Sequence, residues 1–171
     1  MAKSRQTGWI LGLMFIILAA WSGPGLTLEF PLNGKNWALW GSSRETSRLG
    51  REQTVARENY CPTGGCVIRL DRVSVNPPHS RAGDNLLLTT SYTLLTPEQI
   101  AIPITIVREI SFQGKSLGKT KSMETRRLNG TWDQEINFQL PASAAPGTYT
   151  LVTTINTGYG QSQKTAEFQV E

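Results

Sequence analysis

The 171 residues carry 17 Lys and Arg against 13 Asp and Glu, a formal net charge of +4. Two of the positive charges, Lys3 and Arg5, precede the first apolar run, and without them 15 cations face 13 anions, so the basic balance offers no concentrated surface for nucleic acid. A chain of this length has room for one ordinary domain, and once its two ends are trimmed about 110 residues are left to build a single core.

The chain opens on MAKSRQTG, continues as WILGLMFIILAAW and reaches Ser22. A basic start, an apolar stretch of 13 residues and the small residues Ala20 and Ser22 follow the order of a secretory signal, with cleavage expected before Gly23. The alternative is a retained anchor. Nothing charged occurs between Arg5 and Glu29, and Trp9 and Trp21 would mark its two interfaces. Against an anchor, Gly23-Pro24-Gly25 stops the run short of the ~20 apolar residues a span needs. Residues 1–22 are thus expected as a signal peptide or membrane anchor, and the rest as exported: periplasmic, extracellular or held with its domain outside the cytoplasm.

Residues 23–60 show no sustained period and are expected to be a linker, partly disordered or containing a short helix. Arg48 and Glu52 stand four apart, the spacing of a helical ion pair, but Gly50 lies between them and weakens any helix there. Trp37 and Trp40 are the unusual residues of this stretch: they fold back on the domain, lie at a membrane surface or dock on another protein. Cys61 and Cys66, the only cysteines, follow at once. In an oxidising compartment a close, even pair is most simply a disulfide, contributing roughly 2 kcal/mol through its short loop. A redox-active pair would more often have two intervening residues, and a metal site would need further ligands.

From Val67 the period becomes two, the signature of strands buried on one face. Val67–Val75 is the first candidate strand, ended by Asn76-Pro77-Pro78, and after a turn at 81–84 Leu86, Leu88, Thr90, Tyr92 and Leu94 share a face. Ile100, Ile102, Ile104 and Ile106 alternate next, and Ile110 and Phe112 resume the phase beyond Arg108. Pro103 removes a ladder hydrogen bond and predicts an edge strand or a bulge. Gln113-Gly114-Lys115 and Asn129-Gly130 read as hairpin tips. Trp132, Ile136, Phe138 and Leu140 form another row, followed by Tyr149, Leu151, Thr153 and Ile155, a turn at 158–160, and Ala166, Phe168 and Val170. The sum is an all-β chain: one antiparallel β-sandwich of about seven strands over residues 61–171, behind the N-terminal segment and linker.

The stretch LPASAAPGTYTLVTTI, a hairpin, and then AEFQV resemble the last two strands of immunoglobulin-like and fibronectin type III-like modules of bacterial surface proteins. Those families carry a tyrosine where Tyr149 stands. The resemblance covers Val67–Val170 in pattern only, and it implies an immunoglobulin-like architecture. The cysteine pair and central tryptophan of antibody domains have no counterpart here.

Chemistry is sparse. His79, the only histidine, sits in a proline-rich turn. Ser80 and Asp84 nearby do not make a hydrolytic triad by adjacency, and no nucleophile elbow occurs. Zinc lacks ligands, calcium lacks an acidic loop, and glycine-rich phosphate loops are missing from the sequence. No cofactor is expected, and no catalysis. Lys115, Lys119, Lys121, Arg126 and Arg127 form one cationic cluster opposed only by Glu124. Such a cluster suits an anionic glycan, lipid head groups or an acidic partner, or it guards a hairpin edge against aggregation. Asn129-Gly130-Thr131 is also a glycosylation sequon, read here as a turn first. The expectation is a non-catalytic binding or assembly module docked on another envelope or membrane protein, with a carbohydrate- or lipid-binding accessory protein as the alternative. The oligomeric state is left open.

Overall fold

A computed structural model describes residues 38–121 and 125–171. In chain order these form β1 (Leu39–Leu49), α1 (Arg51–Glu58), β2 (Val67–Asn76), β3 (His79–Ser80), β4 (Asn85–Leu95), β5 (Ile102–Phe112), β6 (Lys115–Lys121), β7 (Thr125–Arg127), β8 (Gly130–Gln139), β9 (Gly147–Thr157) and β10 (Gly160–Val170). Two sheets result, one ordered β1-β8-β4-β2 and the other β3-β10-β9-β5-β6, with β7 also pairing β5. Every pairing is antiparallel except the two-residue parallel contact of β3 with β10. The fold is all-β, as the period-two pattern predicts.

Alternation decides what each strand buries. On β5, Ile102, Ile104, Ile106 and Ile110 point inward while Pro103 stays exposed. They meet the inward rows of β4, β8 and β9 in two apolar clusters. The first gathers Leu86, Leu88, Ile110, Phe138, Leu140, Tyr149, Leu151 and Phe168. The second gathers Leu70, Tyr92, Leu94, Ile102, Ile104, Ile106 and Ile155. Rings in the first pack directly: Tyr149 stacks on Phe168 at 5.3 Å and on Phe112 at 4.6 Å.

Several expectations change. Residues 39–60 are not an irregular linker. Leu39–Leu49 adds a strand to the edge of β8, and the polar, aperiodic sequence of β1 accords with its position, because most residues of this edge strand are exposed. Helix α1 begins only after Gly50, so Arg48 lies on β1 and Glu52 on α1. Ten strands, not seven, occupy the described residues. Ile100 falls outside the isoleucine row, in the loop before β5. Pro103 is not on an edge strand: β5 lies between β9 and β6, and the proline faces Arg126 of three-residue β7. Asn129-Gly130 does not turn a hairpin tip. Asn129 is buried, and its side-chain amide donates to the carbonyls of Thr96 (2.8 Å) and Glu98 (2.9 Å) while its oxygen accepts from the Thr96 N–H. Gly130 has φ +154°, and a Cβ there would lie 2.7 Å from the Leu49 carbonyl, so glycine is required where β8 starts beneath the end of β1. The signal or anchor segment 1–22, Trp37 and Glu124 lie outside the described residues.

Candidate functional site

Two regions gather the chemistry of the molecule. The first is the lateral side where β1 of one sheet meets β7 of the other. Glu45 of β1, Gln134 of β8 and Thr90 of β4 stand in one register row, and Arg108 of β5 pairs with Thr153 of β9 on the opposing sheet. Arg108 occupies the inward phase between Ile106 and Ile110, at 1% exposure. Its guanidinium donates to Gln134 Oε1, while its Nε finds no hydrogen-bond partner, nor do the hydroxyls of Thr90 and Thr153. Burial lowers the Arg108 guanidinium to about 10, with the Glu45 carboxylate working the other way.

Glu45 is the hub of this layer. It accepts from the Tyr92 hydroxyl and from both Nε and Nη2 of Arg127, the Nε bond measuring 2.8 Å. Arg127 in turn lies over the Trp132 ring, 5.4 Å from its centroid. Burial, and then the adjacent carboxylate, drive the Tyr92 phenol well above its ordinary value. The Glu45 carboxylate raises Arg127. The pair Glu45–Arg127 joins the two sheets across their open side.

The cationic cluster is divided by the fold. Lys119 is ion-paired with Glu109 at 3.0 Å, and Glu109 is lowered by the Ser116 hydroxyl first and then by Lys119. Arg127 is bound to Glu45. Arg126 donates to the Ala101 carbonyl at 2.7 Å. Lys121 stands in register with Val107, and Lys115 lies at the far end of the same strand, opposite Phe112. In backbone register the run from Lys115 to Arg126 is spread along β5 from Phe112 to Pro103. Trp40 does not offer a free ring either: it stacks on Phe138 at 5.0 Å. His79 is exposed on β3.

The second region is one end of the two sheets. Loop 96–101, residue 128, the turn at 158–159, helix α1 and the Cys61–Cys66 turn all lie at the end marked by Leu49, Val67, Leu95 and Gly130. The large apolar side chains exposed among the described residues, Ile100 (58%), Leu128 (55%) and Tyr159 (42%), all belong to these loops. The chain enters β1 at the opposite end, where Leu39 faces Gln139. Cys61 and Cys66 are exposed and unpaired here, and Cys61 Sγ lies 3.0 Å from the Thr63 hydroxyl oxygen. Helix α1 is fixed to the sheet beside them, Arg57 donating to Thr93 and Thr131 hydroxyls and Glu58 receiving both Nη atoms of Arg69.

Sequence reasoning missed Glu45, Arg108 and the apolar loops. The signal for Arg108 was present, since an even-numbered residue in an even-numbered inward row must point inward. Glu45 and the loop residues carry no periodic mark.

No protein-family profile matches the chain, and no curated protein matches it. Solved structures with partial likeness include a cycloisomaltooligosaccharide glucanotransferase of Paenibacillus sp. (TM-score 0.43, 16% identity, 58% of this chain and 14% of that one). Others are an alkylpurine DNA glycosylase of Pseudomonas fluorescens (0.45, 13%, 61% and 30%) and a family 123 glycoside hydrolase of Clostridium perfringens (0.46, 10%, 77% and 27%). The chain spans less than a third of each of these proteins, and at these scores the likeness carries no inference about chemistry.

Proposed function

We propose that this chain is a non-catalytic binding or assembly module of the cell envelope: an exported immunoglobulin-like sandwich, held by its N-terminal segment, that docks on a larger envelope or membrane protein. The docking surface is the loop end remote from the point where residues 1–38 join β1. One observation carries the reading. Ile100, Leu128 and Tyr159 are exposed, apolar and confined to that end, and interface cores are built from aromatic and aliphatic anchors of this kind. The immunoglobulin-like assignment is supported by Tyr149, whose hydroxyl donates to the Ala145 carbonyl at 2.8 Å, a tyrosine closing the corner before the penultimate strand. The glycan or lipid reading loses support because Lys119 and Arg127 are already ion-paired.

A photo-crosslinking residue placed in turn at Ile100, Leu128 and Tyr159 of the full chain, in cells exporting it, tests this. The expected result is one discrete adduct with a membrane or envelope protein. Control positions Gln113 and Glu135, both exposed and away from these loops, give none. Identical adducts at all five positions, or none at the loops, would remove the reading.

A further inference from the structure

Cys61 and Cys66 bracket Pro-Thr-Gly-Gly, and the fold holds the ends of this loop together without a covalent bond. Pro62–Gly64 makes a single 3-10 turn closed by the Gly64 N–H donating to the Cys61 carbonyl at 2.8 Å. Gly65, at φ +97°, takes a left-handed conformation that a side chain would resist and delivers Cys66 to the start of β2. The Tyr60 hydroxyl donates to the Gly65 carbonyl at 2.6 Å. The residue before Cys61 is thereby tied to the residue before Cys66.

The two thiols are not equivalent. The Thr63 hydroxyl, 3.0 Å from Cys61 Sγ, holds that thiol below its ordinary value, with the Thr63 backbone adding to it. Burial, and then the Glu98 carboxylate, push Cys66 up. Thiolate is the nucleophile in exchange, so this asymmetry assigns an order of reaction.

We propose that Cys61 and Cys66 form a thiol–disulfide exchange site whose co-substrate is an accessible disulfide, with Cys61 as the attacking sulfur and Cys66 as the resolving one. The Cys61 thiolate attacks one sulfur of that disulfide; the S–S bond breaks, a mixed disulfide forms, and the other sulfur leaves as a thiolate. Cys66, after losing its proton to solvent, attacks Cys61 Sγ and expels the second sulfur. The protons shed by Cys61 and Cys66 balance those taken up by the two departing thiolates. The co-substrate is reduced by two electrons to two thiols, and Cys61–Cys66 is oxidised to an intramolecular disulfide. The exchange as written is stoichiometric, one co-substrate disulfide per chain, and does not depend on the docking surface proposed above.

Oxidised glutathione is the probe, added to the full chain near neutral pH, with samples quenched by alkylation and weighed intact. The wild type is expected to end as the closed Cys61–Cys66 disulfide with no lasting adduct. Cys66→Ser should trap one glutathione on Cys61, and Cys61→Ser should react at Cys66 about tenfold more slowly or less. Thr63→Val should slow the Cys61 reaction about threefold, because a higher thiol pKa costs more in thiolate fraction than it returns in nucleophilicity. Equal rates in the two serine variants, or a wild type that stops with glutathione on both sulfurs, would overturn the assignment. All substitutions fall in an exposed turn, so the readout does not depend on a change in the core.

Discussion

Glu45 is bonded to both sheets, through Tyr92 of β4 and Arg127 of β7. It accepts from Tyr92 and Arg127 and lies close enough to Arg108 to favour its charge. Truncating one partner of a buried ionic group leaves the others uncompensated, whereas replacing a buried charge by an apolar side chain of similar volume is often neutral or stabilising. Glu45→Ala should therefore cost about 3 kcal/mol or more. Arg108→Met should fall within about 1 kcal/mol of wild type or exceed it, because Arg108 makes one side-chain hydrogen bond, to Gln134, and its Nε has no partner. Urea unfolding of the two variants checks both. A destabilising Arg108→Met together with a silent Glu45→Ala would show that the layer is held by something other than this carboxylate.

Among the elements, α1 depends on charge for its seat. Glu58 receives Arg69 Nη1 at 2.7 Å and Nη2 at 2.9 Å, and the hydrogen bonds from Arg69, with those from Arg57, bring its carboxyl down to about 2 from an ordinary 4.5. A native value below the unfolded one means stability that is complete above the unfolded pKa and is lost as pH falls toward the native pKa. Both arginines are more than a third exposed, so screening reduces the contribution to about 1 kcal/mol. Unfolding free energies of wild type and Glu58→Gln should differ at neutral pH and converge between pH values of about 4.5 and 2; parallel curves would separate α1 from this pair. The elements most legible in the sequence were those with an apolar face to bury: the inward rows of β4, β5, β8 and β9 follow their period-two patterns. β1 was illegible because its inner face has Ser43, Glu45 and Ser47 where a two-sided core would demand aliphatics. Asn129 misled for the opposite reason: the Asn-Gly pair that favours a tight turn also serves a buried amide bracketing loop 96–98.

At the scale of the whole molecule, β1 and α1 belong to the folding unit. Without residues before Cys61, β8 loses its outer neighbour, Phe138 loses the stacked Trp40 ring, and Arg108 and Arg127 lose Glu45. A chain starting at Cys61 is expected to lack a cooperative urea transition, while one starting at Trp37 keeps it; equal transitions would make β1 dispensable. The candidate site divides in the same way. The sequence announces the cysteines and the cationic run, but the gathering of Ile100, Leu128 and Tyr159 at one end depends on three connections far apart in the chain, and only the topology brings them together.

β1 also runs along β8 from end to end, Leu39 facing Gln139 and Leu49 facing Thr131. Tension between Leu39 and anything gripping the far loops acts along that strand. Such a force shears the β1–β8 ladder, so its hydrogen bonds bear the load together instead of parting one by one, and the Glu45–Arg127 pair resists sliding as a pin through both sheets. A strand with only three apolar residues, Leu39, Trp40 and Leu49, among its eleven is thus the member that would carry mechanical load through the domain.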